Sequence, residues 1–354
     1  MSYTLNNKIK DLKPYDPIQG DYKIRLDANE SFLTIPKEIL EQFHNAVVQT
    51  AFNRYPDPYA YNTISAFARY YGVRNSLVTA GNGSDELISV LMSAFLMKGD
   101  RVITFSHDFS MYRFYTTIIE AECIEIPKNQ DLTIDVDNVI KTANKIGAKM
   151  IIFSNPCNPT SLGLCKESVR RLISSVDALV ILDEAYMDFW DQSLLNEVEQ
   201  YDNLIILRTC SKAFGMAAVR LGFAVANQTL TSIVRAVKAP YNVNTVTQAF
   251  GATVLAQKEM LDKGVAQLVE SRKALFGGLK QLELEYPKSL FLFNSCTNFV
   301  FIRTLYAKEI YEYMLENSVA IRYMGEYLRV TAGTVEENTE AVRLFAQFLS
   351  QRGA

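Results

Sequence analysis

The sequence has only two histidines, His44 and His107, and its five cysteines never form a C-x-x-C pair. A Ser-His-Asp triad or a multi-histidine metal site would have to use one of those two histidines, which disfavours both. The cysteines (Cys123, Cys157, Cys165, Cys210 and Cys296) are odd in number and scattered. They argue against a disulfide framework or a structural zinc, and they suit a reducing compartment. No apolar run approaches about 18 residues, so no membrane span is expected. The N-terminus is polar and lacks the apolar segment of a signal peptide, so a cytoplasmic protein is expected. Basic residues are not in excess. The formal net charge is −3, which gives no electrostatic footprint for nucleic acid. No G-x-G-x-x-G follows an early strand, which disfavours a nicotinamide-dependent enzyme.

What is present is 354 residues, 49% hydrophobic and 21% charged, enough for one large domain and a smaller one. Residues 1–35 are polar, carry Pro14, Pro17 and Gly20, and read as an arm. A helix is expected from Pro36 to about Ala51, and a second from about 60 to 71, closing on Gly72. Between them lies a turn with two prolines, Arg54-Tyr-Pro-Asp-Pro-Tyr59. Ala80-Gly-Asn-Gly-Ser-Asp-Glu-Leu87 is a glycine-rich turn opening a helix whose apolar residues (Leu87, Val90, Leu91, Ala94, Phe95) share one face. From residue 101 short apolar runs alternate with helix-length segments: 101–105, 150–153, 178–182, 204–207 and 221–226. That is the pattern of a mostly parallel sheet covered on both faces, an α/β large domain spanning 36–245. After about 245 the texture changes. A long helical stretch (Thr247 to about Leu282) leads into strands at 289–293, 298–302, 319–322 and 327–331, with helices near 307–317 and 335–351. These suggest a small α+β C-terminal domain, 246–354.

In parallel sheets, ligands bind beyond the carboxyl ends of the strands. The unusual polar residues lie at such ends. Gly83, Ser84 and Asp85 open a helix and offer an anion seat. Phe109, Asn158, Asp183, Tyr186 and Lys212 each follow an apolar run, and Arg220 immediately precedes one. Lys212 alone reads as a surface lysine in a turn. Together with the rest it reads as a desolvated amine able to form a Schiff base. One cofactor, pyridoxal phosphate, uses the whole set. Lys212 takes its aldehyde, and Asp183 keeps its ring nitrogen protonated. Asn158 and Tyr186 donate to its phenolic oxygen, Phe109 stacks on its ring, and Arg220 with the helix N-terminus holds its phosphate.

The chain resembles the fold-type I aminotransferases and, within them, the histidinol-phosphate aminotransferases. The pieces that carry the resemblance are Asn29-Glu30, Tyr55-Pro-Asp-Pro58, Gly81-Asn-Gly-Ser-Asp-Glu86, Asn155-Pro-Cys-Asn-Pro-Thr160, Asp183-Glu-Ala-Tyr186, Ser211-Lys-Ala-Phe214 with Arg220, and Leu328-Arg-Val-Thr331. It implies that Lys212 carries the cofactor and that Asp183 binds its ring nitrogen, with Tyr186 beside them. Ser84, Asp85, Thr209, Ser211 and Arg220 would hold the phosphate. Tyr55 would reach the cofactor of a partner subunit, so a homodimer with shared active sites is implied. Arg329 and Arg322 would bind the substrate's anionic groups, with Tyr112 and Asn29 nearby. An amino donor and a keto-acid acceptor are implied as the small-molecule partners, with no nucleic acid and no membrane. Where the family usually has glycine after Asn-Pro-Thr, this chain has Ser161. Two other readings stay open at this point: an aminotransferase for aromatic or other amino acids, and a decarboxylase acting on threonine phosphate. A catalytically silent regulator of the same fold is disfavoured, because the arm is short and not basic.

Overall fold

Short apolar runs in the first two thirds of the chain become strands buried on both faces. The computed structural model describes residues 3–352 except 11 and 15. The expected arm and C-terminal unit run to the chain ends, so their residues 1, 2, 11, 15, 353 and 354 lie outside the described residues. The chain begins with β1 (Ile24–Arg25), α1 (Lys37–Val48), α2 (Tyr61–Tyr71), β2 (Val78–Gly81), α3 (Ser84–Phe95) and β3 (Arg101–Phe105). It continues with α4 (Met111–Ile118), β4 (Glu122–Ile126), α5 (Val136–Ile146), β5 (Met150–Ser154), α6 (Lys166–Ser174), β6 (Leu179–Asp183), β7 (Leu204–Thr209) and β8 (Gly222–Ala226). Then come α7 (Gln228–Val237), α8 (Thr245–Leu255), α9 (Lys258–Glu285), β9 (Leu290–Leu292), β10 (Phe299–Thr304), α10 (Ala307–Glu316), β11 (Val319–Ala320), β12 (Arg322–Met324), β13 (Tyr327–Thr331) and α11 (Val335–Arg352).

Seven strands form the central sheet in the order β2-β8-β7-β6-β5-β3-β4, with β8 antiparallel to both neighbours and the other pairs parallel. Side chains alternate across a strand, so one strand can feed two cores. Ile151, Phe153, Val180, Leu182, Leu204 and Ile206 enter one core, with α2, α5, α6, α8 and the first half of α9. Met150, Ile152, Ile181, Ile205 and Leu207 enter the other, with α3 and α7. This double burial explains why the strands read as continuous apolar runs.

The second sheet, β12-β13-β10-β9, is antiparallel. Its core takes Leu275, Leu279 and Leu282 from the second half of α9, together with α10 and α11. Core membership therefore changes along α9 and not at the expected junction at 245/246, because Phe250, Val254 and Leu255 of α8 still pack into the large core. The stretch expected as one helix from Thr247 is two, broken at Ala256–Gln257. The expected arm also contributes structure. Ile24 and Arg25 pair in parallel with Val319 and Ala320, and Leu26 is buried in the small core. That pairing brings residues 27–29 to the edge of the cleft between the two sheets.

Candidate active site

The carboxyl ends of the parallel strands converge on a cleft of about 360 Å³. Asp183 is the last residue of β6 and lies beside Ser154, the last of β5. Its carboxylate is buried, accepting from the Tyr112 hydroxyl at 2.8 Å and from the Ala185 N–H at 3.1 Å. No cation pairs with it among the described residues. Burial pushes its pKa up to about 6, although the Tyr112 and Ala185 hydrogen bonds oppose the rise. A buried carboxylate held this way calls for a cationic N–H donor from outside the protein.

Lys212 stands across the cleft, three residues beyond β7. Its ammonium donates to the Ala28 carbonyl at 3.0 Å. Burial lowers its pKa to about 8, and the nearby Arg329 and Arg220 guanidinium groups act in the same direction while Glu30 opposes them. An amine with that pKa is partly neutral, and so nucleophilic, near neutral pH.

At the far side, α3 begins at Ser84 after Gly83, whose φ is +85°. Its first N–H groups have no partners within the helix, and Ser84 and Asp85, which carry two of them, line the cleft. A Cβ on Gly83 would meet Arg220 Nη2 at 2.8 Å, and one on Gly222 would meet Ser84 N at 2.3 Å. Both glycines keep the backbone open for a close approach. Arg220 donates to the Ala217 carbonyl at 3.2 Å and sits 3.5 Å from the Ser211 hydroxyl. Thr209 donates its hydroxyl to Ser211. The set makes an anion cradle of N–H groups, hydroxyls and one guanidinium. The Asp85 carboxylate cannot accept an anion, so that residue can contribute only its backbone N–H.

The opposite wall holds Asn158, Tyr186, Arg329 and Asn29. Arg329 donates to Asn158 Oδ1 and to the Asp27 carbonyl. The Asn158 amide nitrogen is thereby turned away from Arg329. Asn29 Nδ2 donates to the Tyr186 hydroxyl at 2.8 Å, leaving that hydroxyl's own proton free to donate elsewhere. Asn29, with φ +54°, also binds Thr331 through its N–H at 3.0 Å, tying residues 27–29 to β13. Phe109 lines the cleft edge-on to Tyr112. Arg322 and Met324 line it from β12.

One expected residue lies elsewhere. Tyr112, expected beside the substrate, is fully buried in α4 behind Asp183. The helix turns its ring into the core, and its hydroxyl holds the carboxylate. Tyr112→Phe removes that hydrogen bond. The expected result is a roughly tenfold to hundredfold drop in kcat with KM little changed, checked by steady-state kinetics. Tyr55, expected to reach the cofactor of a partner subunit, is 81% exposed outside this chain's own cleft and stacks on Tyr241 with ring centroids 4.6 Å apart.

Several residues that support the site were not singled out from the sequence. Asp108 accepts from the Ser154 hydroxyl and from the Phe109 N–H at 2.8 Å, and Ser154 Oγ accepts from the Asn158 N–H at 3.1 Å. This relay fixes the loops after β3 and β5, but its partners are distant in sequence and gave no signal. Arg208 did give one, as a charge inside an apolar strand. It is buried between Glu184 and Asp188, at 2.9 Å from each, and stiffens the turn that carries Asp183 and Tyr186.

Ser161, where the resemblance leads one to expect glycine, has φ +61° and is fully buried. That conformation explains the glycine preference. Its hydroxyl lies within donating distance of the Thr160 carbonyl at 2.6 Å and the Asn294 carbonyl at 2.8 Å, and its carbonyl accepts from the Cys296 N–H at 2.9 Å, linking the Asn158 loop to the small sheet. Ser161→Gly is expected to change stability by less than about 1 kcal/mol, since relief of the backbone offsets the lost hydrogen bond. Ser161→Val should lower it by about 2 kcal/mol or more, because valine resists positive φ and its branched side chain has no room at a fully buried position. Denaturant titration of the two variants checks the pair.

A model of aminotransferase class I and II matches residues 21–345. Histidinol-phosphate aminotransferase of Clostridium novyi (strain NT) is 38% identical over 339 residues, covering 94% of each chain. The histidinol-phosphate aminotransferase of Clostridium kluyveri (strain NBRC 12016) is 36% identical over 341 residues, covering 95% of this chain and 96% of its own. In three dimensions, the crystal structure of histidinol-phosphate aminotransferase from Sinorhizobium meliloti in complex with pyridoxal-5'-phosphate matches with a TM-score of 0.84 at 20% identity, covering 96% of this chain and 98% of that one. With most of its motifs gathered in one strand-end cleft and its relatives matching over nearly its whole length, the chain belongs to the class I and II aminotransferases of fold-type I, in the histidinol-phosphate aminotransferase family.

Proposed function

We propose that this aminotransferase uses pyridoxal phosphate to move the amino group of histidinol phosphate to 2-oxoglutarate, giving imidazole-acetol phosphate and glutamate, a step of histidine biosynthesis. Arg322 and Arg329 carry the substrate reading. They are direct cross-strand partners in the β12–β13 pair, so their side chains leave the same face of the sheet, and both line the cleft. Two adjacent guanidinium groups opposite a reactive lysine suit a small amine bearing a phosphate or a second carboxylate. The names of the relatives agree with this chemistry.

The residues fit the cofactor. Pyridoxal phosphate, when bound, supplies an aldehyde that takes up amino groups and a cationic ring that draws electrons from the carbon bearing them. Asp183, buried without a cationic partner, would accept the ring N–H and keep it protonated. The cradle of Ser84, Asp85, Thr209, Ser211 and Arg220 would hold the phosphate. Tyr186 and Asn158 would donate to the phenolic oxygen, and Phe109 would cover one ring face. Lys212 Nζ would hold the aldehyde carbon and, as a free amine, would be the base that takes the proton from the donor's Cα.

Rapid-mixing spectroscopy of the holoenzyme with single amines tests the substrate. Histidinol phosphate should convert the cofactor to its amine form fastest. A faster reaction with an uncharged aromatic amino acid, or carbon dioxide released from threonine phosphate, would overturn the reading.

We also infer a cytoplasmic homodimer with shared sites. The exposed Tyr55–Tyr241 stack continues into an apolar surface at Phe52, Tyr59 and Tyr61, of the kind that seeks a partner. Mixing a Tyr55→Ala protein with a Lys212→Ala protein should restore part of the activity that each lacks, through hybrid dimers with one intact site. No recovery after mass spectrometry has confirmed subunit exchange would count against shared sites.

A further inference from the structure

We propose that Met324 sets the balance between the enzyme's two amino donors by receiving the planar ring of the ring-bearing one; this rests on the substrate reading above. β12 is only three residues long, and alternation puts Arg322 and Met324 on one face and Tyr323 on the other. The packing agrees. Arg322 and Met324 both line the cleft, while Tyr323 stacks on Tyr311 with centroids 5.6 Å apart. Residues two apart on a strand are separated by about 7 Å, the span of a short alkyl chain. An anion held between Arg322 and Arg329 therefore leaves the rest of a small substrate within reach of Met324. Gly325, with φ +72°, makes the tight turn after Met324 and fixes this placement.

Met324 is also the one long aliphatic side chain lining the cleft among the described residues; the other apolar groups there are aromatic, alanine or proline. It is 37% exposed, on an edge strand, beside two arginines. An unbranched thioether adapts to a flat ring and makes favourable sulfur–aromatic contacts. Glutamate has no ring to offer and engages the arginines through its carboxylates. Met324 thus contributes to one half-reaction and is idle in the other.

The test compares wild-type, Met324→Ala and Met324→Leu holoenzymes in both half-reactions, histidinol phosphate and glutamate, with calorimetry of an amine-free imidazolylalkyl phosphate as a binding probe. Met324→Ala should lower kcat/KM for histidinol phosphate roughly fivefold to thirtyfold, mostly through KM, and weaken the probe by a similar factor. Glutamate should stay within about twofold, and Met324→Leu should recover most of the loss. Equal losses with both donors, or none with either, in a set whose wild type turns over histidinol phosphate would overturn the Met324 assignment alone. A wild type inert toward histidinol phosphate would overturn the substrate reading and this proposal with it.

Discussion

Lys212→Met is expected to lose amino-group transfer by a factor of about 10⁴ or more while keeping the fold. Methionine preserves the apolar stem and removes only the amine, so the loss isolates the chemistry. General acid–base work by a positioned side chain contributes about 10²–10⁴, and covalent attachment of the cofactor adds to it. The same variant carries a stability signature of opposite sign. The Lys212 pKa is lowered from 10.5 to about 8 by burial. The folded protein therefore sheds this proton before the unfolded chain does, and folding gains stability as pH rises between those two values. Below about 8 the buried charge is a full burden. Apo Lys212→Met should thus be more stable than the apo wild type at pH 7, and the gap should close as pH approaches 10.5. Thermal denaturation across that range measures it. A variant less stable than wild type throughout would mean that the ammonium is better solvated than its surroundings imply.

The second large effect belongs to Asp183→Asn. An amide is nearly isosteric with the carboxylate, but it cannot keep a ring nitrogen protonated. Loss of a preorganised charge of this kind reduces turnover about 10²–10³-fold. Cofactor affinity supplies an independent readout. In the apoprotein the carboxyl has a pKa raised to about 6, and a bound cation would pull it down. Cofactor binding must then expel a proton below about pH 6, so wild-type affinity should fall with decreasing pH there. Asp183→Asn has no such proton. The ratio of the two affinities, in which the cofactor's own titrations cancel, should therefore shrink as pH drops through 6. A constant ratio, measured by spectral titration of the apoproteins, would place the cation elsewhere.

Much of this was legible in the sequence because strand-end chemistry is local. Asp183 ends one apolar run, Lys212 comes shortly after a second and Arg220 directly precedes a third, so the sheet that those runs imply already brings them together. Two strands of the central sheet were not legible. β2 is four residues long and passes at once into the glycine turn, and β4 is an edge strand whose Glu122 and Glu125 interrupt the apolar pattern. The break between α8 and α9 carries no glycine or proline. Tyr112 was misplaced because its position in α4 could not be read without the helix's rotation, which tertiary packing sets. Asp108 and Ser154 matter through hydrogen bonds to each other across 46 residues, and no spacing rule anticipates those. Gly222 could have been noticed, since glycine inside a strand often marks a close backbone approach. Here the approach is to the first turn of α3.

The central claim is that Lys212 holds the cofactor within a cleft built by Asp183, Tyr186, Asn158 and the Ser84–Arg220 cradle. Borohydride reduction of the purified protein, followed by peptide mass spectrometry, tests it most directly. One pyridoxyl group per chain is expected, on the peptide containing Lys212, with no label in Lys212→Met. A pyridoxyl group on a different lysine, or a Lys212 peptide left unmodified after the protein has been saturated with pyridoxal phosphate, would contradict it.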